Sequence, residues 1–451
     1  MNRKIDPVTR DLSLFALPML LGNVLQSCYS MVDMAVVGQF VGREALAAVS
    51  NTSMICFISN SICIGFTVGC NVLIAKFRGA KNASAQQDTI RTMFALSILG
   101  GILLTLMNYL LYQPVLRLMN IPAEAFPYAV EYMNIICAGN LFVFGYNAVC
   151  SIMRGLGDSR RPLYFVSVTA VVNIVLDFLF VGVFHWGVRG AAIATVLAQA
   201  ASCLSALLTL KKQGSRDPEF VFHFDRQSLQ LNPEICDSLI RIGLPTALRT
   251  AALNMSYLIV TALFNNYGTA VAAAAGIGIK VNTFVAMPCW AAGQAVTTMA
   301  GYSMGAKDTV LAGKIARKGI LVSLLFTGVF LTLMHLLIRP FLGLFSSDVE
   351  VIELGILYLR ICCSANFIPY MVMYVLDSFA TGVGAPALAM VNSLLHSIVI
   401  RLGLSILLAI LLNHGYVGLL VAEFVSPLIP CCVGIAFFLR GSWRMKNNLV
   451  S

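Results

Sequence analysis

Val171-Val-Asn173-Ile-Val-Leu-Asp177-Phe-Leu-Phe-Val181 places two polar side chains inside a long apolar run. Asn173 and Asp177 are four residues apart, so on a helix they share one face, one turn above the other. A lone carboxylate at membrane depth costs about 2.5–3.5 kcal/mol or more. Such a residue is kept for a partner, a water-filled cavity, a cation or a proton, or else for a hydrogen bond that packs helices. The stretch reads as a membrane helix with one polar face.

The rest of the chain has the same character. Of its 451 residues 59% are hydrophobic and only 11% are charged, and the mean hydropathy is +0.84. A soluble protein would be about a quarter charged. About twelve apolar segments of membrane length recur, near 12–38, 46–75, 91–112, 127–150, 162–184, 187–210, 239–265, 270–302, 316–339, 353–379, 385–412 and 415–439. The fold class is an all-α polytopic membrane protein of about 12 transmembrane helices. The first segment continues into a helix bearing Asp33, unlike a cleavable signal peptide.

Basic residues set the expected orientation. Arg3, Lys4 and Arg10, then Lys76, Arg78 and Lys81, Arg154, Arg160 and Arg161, Lys211, Lys212, Arg216 and Arg226, Lys307, Lys314, Arg317 and Lys318, and finally Arg440, Arg444 and Lys446 all fall on one side. Arg43, Arg117, Arg189, Arg339 and Arg360 fall on the other. By the positive-inside rule both termini are cytoplasmic in the cell (plasma) membrane. The same asymmetry accounts for the net charge of +10 without a nucleic-acid partner.

The chain repeats itself. Leu17-Pro18 matches Leu244-Pro245, Gly79-Ala-Lys81 matches Gly305-Ala-Lys307, and Gly155-Leu-Gly157 matches Gly382-Val-Gly384, at an offset of about 227 residues. Two six-helix lobes, 1–225 and 226–451, joined through the polar stretch Lys211–Asp237, are then related by a pseudo-two-fold axis along the membrane normal. Such parallel repeats are a transporter architecture, with substrate bound between the halves. A monomer suffices, because one chain carries both lobes.

Polar residues at membrane depth are the candidates for function. Gln26, Tyr29 and Asp33 line one face of segment 1, and Pro18, about four turns earlier, is a static bend, the entry turn of the helix or a hinge. Thr195 sits among alanines in segment 6. Asn147 precedes the Arg154-Gly-Leu-Gly-Asp158 exit of segment 4, where Arg154 and Asp158 are expected to bind each other or the neighbouring loop. Gly65 and Gly69 are spaced for close helix packing. The second half lacks the acids of the first: Val260 falls where Asp33 would, and Leu404 where Asp177 would. It carries Arg249, Lys280, Asp377, Arg401 and Glu423 instead, with His396 nearby. These form either an ion-pair network or a second proton site.

Several chemistries have no support. Thirteen scattered cysteines include no Cys-x-x-Cys pair, and Cys56, Cys63 and Cys70 repeat every seven residues as a packing seam. No glycine loop cradles a phosphate ahead of a lysine, and no His pair is spaced for a metal. The chain reads as no enzyme and as needing no cofactor, with energy drawn from an ion gradient unless it only facilitates diffusion.

Leu17-Pro18, Gln26, Tyr29, Asp33, Gly38, both Gly-Ala-Lys stretches, Arg154–Asp158, Asn173 with Asp177, and Thr195 together resemble the multidrug and toxic compound extrusion (MATE) family along nearly the whole chain. The resemblance implies an antiporter that expels cationic amphipathic compounds in exchange for H⁺ or Na⁺. It assigns the coupling cation to Asp33, Asn173, Asp177 and Thr195, and the substrate cavity to Gln26, Tyr29 and Asn147. Family members with coupling acids in helices 7 and 10 are matched poorly, since helix 7 offers Arg249. On physical grounds, Asp33 and Asp177 in one cavity would repel each other, so one takes a proton or both hold Na⁺ with Asn173 and Thr195 oxygens. The alternative within the same superfamily is a flippase for lipid-linked oligosaccharide or lipid, kept alive by Arg249, Lys280 and Arg401.

Overall fold

The structure, a computed structural model, describes residues 6–118, 124–214, 231–343, 345–346 and 348–445. The expected lobe boundary near residue 225, and Arg3, Lys4, Arg216, Arg226 and Lys446, lie outside the described residues. Among the described residues every regular element is helical. Without water in the hydrocarbon layer, a spanning segment must satisfy its own backbone, and a helix does so alone.

The elements run α1 (Pro7–Phe40), α2 (Arg43–Gly79), α3 (Ala83–Leu118), α4 (Phe126–Ala138), α5 (Asn140–Gly155), α6 (Arg160–Asp177) and α7 (Gly187–Gly214). Then come α8 (Pro233–Asn265), α9 (Thr269–Gly305), α10 (Thr309–Leu336), the short α11 (Ile338–Gly343), α12 (Val349–Cys362), α13 (Phe367–Gly382), α14 (Pro386–Leu394), the single turn α15 (Gly403–Ser405), α16 (Gly415–Val425) and α17 (Leu428–Arg440). Ten helical spans are long and apolar enough to cross a membrane. Two more spans are broken: α4 and α5 meet at 48°, and α12 and α13 at 55°, which brings the number to twelve. The sequence showed segments 4 and 10 as continuous; Gly139 and the Cys363–Asn366 corner interrupt them.

The chain folds into two compact units, Leu21–Leu244 and Met1–Leu20 with Pro245–Ser451. It passes from one to the other just after Pro18 and returns at Pro245. Both prolines lie inside continuous helices, so Pro18 is not an entry turn.

The backbone carries the repeat further than the residues do. Positive φ angles occur in matched pairs: Gly42 and Gly268, Lys81 and Lys307, Gly157 and Gly384, His185 and Asn413, Gly187 and Gly415. Lys81 and Lys307 take a left-handed helix exit where glycine is usual. A π-helical segment, Phe178–Val183, ends the first unit's fifth span, and its counterpart Ile406–Leu411 ends the eleventh. The eleventh span holds a second π segment, Leu395–Leu402.

Small residues let helices touch. A Cβ on Gly155 would lie 2.8 Å from Ile74, and one on its repeat partner Gly382 would lie 2.5 Å from the Thr297 carbonyl. A Cβ on Gly69 would lie 3.2 Å from the Leu239 carbonyl, and one on Gly243 would lie 3.3 Å from the Gly65 backbone, so the expected small-residue pair receives the start of α8. At the α5 exit, Asp158 pairs with Arg161 at 3.1 Å rather than with Arg154, and caps the Arg160 and Arg161 amides. Cys63 and Cys70 are buried and Cys56 half-buried, all unpaired thiols, and Cys63 packs on Leu104 and Phe144.

Replacing Gly382 by alanine drives a methyl into backbone that has no rotamer to change. Gly382→Ala should lower stability by about 1–3 kcal/mol, read as a lower melting temperature in detergent. Gly328→Ala, where no atom lies within 4 Å of the new methyl, should leave it unchanged.

Candidate functional site

The helix that carries Asn173 and Asp177 is turned as its sequence requires. Val171 is 63% exposed and Val175 58%, while Asn173 is 1% and Asp177 0% exposed. The apolar side faces outward and the polar side faces the interior of the Leu21–Leu244 unit. Asp177 is the last α-helical residue before the π segment. Wide turns of this kind recur at functional positions.

Three other helices meet this face. From α1, Asp33 brings its carboxyl within hydrogen-bond reach of Asp177. From α7, the Thr195 hydroxyl lies 3.5 Å from the Asn173 amide nitrogen. From α4, the buried Tyr132 directs its hydroxyl to Thr195 and lies in the field of both acids. Alanines 191, 192, 194 and 198, all fully buried, let α7 approach closely enough for Thr195 to reach across. Val36, Val37, Val181 and Val188 pack with Tyr132 in one buried apolar cluster on one side of these groups.

The polar groups outnumber their partners. Asp33 Oδ1, both Asp177 oxygens and Asn173 Oδ1 are buried with no hydrogen-bond donor among the described residues. No basic side chain among them pairs with either acid. Two desolvated negative charges this close cannot both stand uncompensated. The cluster's acceptors are all oxygen atoms, which suits a proton or a hard monovalent cation and not a soft metal.

The structure thus brings Asp33, Asn173, Asp177 and Thr195 together. Tyr29 is adjacent, with its hydroxyl on Gln199 and Asp33 nearby. Gln26 is exposed on α1, and Asn147 donates to the Val143 carbonyl of its own helix at 2.8 Å, so neither touches the acids through a recorded bond. Tyr132 and Gln199 were missed. Gln199 is one turn beyond Thr195 on the same face, a spacing that points to it; Tyr132 has no such signal in an aromatic-rich segment.

The second unit arranges its charges differently. Arg401 Nε pairs with Glu423 at 2.5 Å, and the guanidinium lies 3.8 Å over the Tyr257 ring. Arg249 stacks on Tyr374 at 5.1 Å. Asp377 accepts from Asn392 at 2.7 Å and from Ser393 at 3.3 Å. Lys280 is exposed.

A polytopic helical protein with a duplicated six-span unit has the architecture of a membrane transporter. The MatE family model matches residues 18–179 and again 245–412, beginning each time at the proline that anchors the repeat. The chain belongs to the MatE, or multidrug and toxic compound extrusion, family. It is 32% identical over 362 residues to the probable multidrug resistance protein YoeA of Bacillus subtilis, covering 78% of this chain and 77% of that protein. It is 26% identical to the probable multidrug resistance protein NorM of Thermotoga maritima, covering 99% and 96%. The fold also matches an outward-facing multidrug resistance MATE family transporter, with a TM-score of 0.90 at 20% identity over 97% of both chains.

If the acid pair takes up an ion, that ion stabilises the fold. A ligand at a hundred times its dissociation constant adds about 2.7 kcal/mol. Melting of the purified protein should rise with either acidification or added Na⁺, and Asp177→Asn should abolish the rise.

Proposed function

We propose that this protein is a secondary antiporter of the plasma membrane. It exports cationic amphipathic compounds in exchange for inward-moving H⁺ or Na⁺. The observation that carries the reading is the uncompensated carboxylate pair Asp33–Asp177, with Asn173 and Thr195 beside it and an apolar cluster on one side.

A transporter gains nothing from an ion bound equally well in all states. Coupling requires that the ion favour one conformation and that substrate favour another. Asp33 and Asp177 supply the charge that an incoming ion neutralises. An organic cation competes for the same charge, so the two are carried in opposite directions. Asn173 and Thr195 complete the oxygen shell if the ion is Na⁺, while the paired carboxyls alone suffice for a proton. Both prolines sit where the chain passes between units, which supports bending there during the transport cycle. Orientation follows the basic loops, with both termini cytoplasmic. The family match and the names of its relatives give no support to the lipid-linked oligosaccharide flippase.

The test is extrusion of a cationic dye from proteoliposomes, under a pH gradient and separately under a Na⁺ gradient. Wild type should move dye under one of them, which names the ion. Asp177→Asn should lose at least 90% of that flux (roughly a tenfold loss, about 1.4 kcal/mol) while remaining folded. Folded wild type that moves no dye under either gradient would refute the proposal.

A further inference from the structure

Where α10 begins and α17 stops, the chain turns back on itself. Gly441 takes a positive φ of 68°, a left-handed helix exit that suits glycine. The turn folds Ser442–Met445 against the end of α17. Trp443 is buried there and donates its Nε1–H to the Phe438 carbonyl at 3.0 Å. The two rings stack, with centroids 6.0 Å apart and planes 11° apart. Gly313 of α10 makes room beside them, since a Cβ there would lie 3.6 Å from the Trp443 ring. Leu12 and Ala16 of α1 pack in the same cluster.

Two guanidinium groups rest on this ring pair. Arg317 of α10 lies 5.8 Å from the Phe438 centroid, and Arg444 lies 5.4 Å from the Trp443 centroid. A ring face holds a guanidinium by its plane and leaves the N–H fork at its edge for a bidentate acceptor. Lys314 and Lys318 flank Arg317 on α10, and Arg440 closes α17. The acids at the starts of α1 and α10 are engaged elsewhere. Asp6 pairs with Lys318 at 3.5 Å, Asp11 pairs with Arg10 at 3.2 Å, and Asp308 caps the Leu311 amide at 2.8 Å. Among the described residues no carboxylate forms an ion pair with Arg317, Arg440 or Arg444. The surface between these cations is apolar: Leu439 is 74% and Met445 81% exposed. Exposed hydrocarbon at the end of a span belongs among acyl chains, and the cations beside it belong at the headgroups. A free phosphate, a nucleic acid or an acidic protein would meet the charge alone. A phospholipid meets both.

We propose that Arg317 and Arg444 bind the phosphate of an anionic membrane phospholipid, whose acyl chains run along Leu439. The inference does not depend on the export reading; it needs only that the chain sits in a membrane. Basic loops attract anionic lipid diffusely wherever they occur. These two arginines differ because stacking holds them in place before the lipid arrives, so little side-chain freedom is lost on binding. One phosphate held by both also ties α10 to the turn that follows α17.

Native mass spectrometry of the full-length protein in detergent, titrated with phosphatidylglycerol or with phosphatidylcholine, reads the affinity for the first lipid bound. Phosphatidylglycerol should bind about tenfold more tightly. Arg317→Gln with Arg444→Gln should remove most of that preference. Lys211→Gln with Lys212→Gln removes the same charge from the exposed end of α7 and should keep it. Ammonium phosphate in excess should not displace the lipid. Equal affinity of wild type for the two lipids would overturn the proposal, and so would an equal effect of the two double variants, which marks diffuse attraction. Displacement by inorganic phosphate would overturn it in favour of a free-anion site. The wild-type ratio and the displacement are read without any variant, so they stand even if a variant does not fold.

Discussion

Two carboxyl groups held within reach of each other, with no basic side chain paired to them among the described residues, set the terms for the Leu21–Leu244 unit. Each charge at membrane depth costs several kcal/mol, and each raises the cost of the other. The surrounding structure leaves that cost unrelieved. Val36, Val37, Val181 and Val188 exclude water on one side. Small alanines on α7 bring Thr195 in as a neutral oxygen and not as a counter-charge. A site relieved by its own side chains would have no use for an ion, and it is this lack of relief that supports the antiport proposal.

The second unit shows the opposite solution on the same backbone. The left-handed residues, the glycine contacts and the terminal π segments repeat from unit to unit. The chemistry does not. Arg401 and Glu423 neutralise each other, and Asp377 is held by Asn392 and Ser393. Backbone geometry is constrained in both halves by the same helix contacts. Side chains that make none of those contacts differ between the halves, so one half presents an uncompensated acid pair and the other an arginine–glutamate pair.

Much of this was legible before any coordinates. Hydropathy over windows of about twenty residues gives spanning helices, because the hydrocarbon layer forbids unpaired backbone. The repeat was visible in Leu-Pro, Gly-Ala-Lys and Gly-x-Gly, residues whose backbone roles resist substitution. The polar face of α6 followed from a spacing of four. Breaks at Gly139 and Asn366 were not legible, since an apolar run keeps its composition through a bend. Nor was the partner of Asp158, which depends on the turn of the loop.

Sequence alone determined the membrane class, the duplication and which residues are too polar for lipid, because solvation acts on each residue separately. Only tertiary structure decided which of them meet. His396 and Arg401 are five apart and stand about 140° from each other on an ordinary helix; the π segment Leu395–Leu402 brings them toward one side, where both are buried. Asp33 and Asp177 are far apart in the chain, and their proximity depends on how α1, α6 and α7 pack. That packing is fixed by side-chain volumes on several helices at once, which no local spacing encodes.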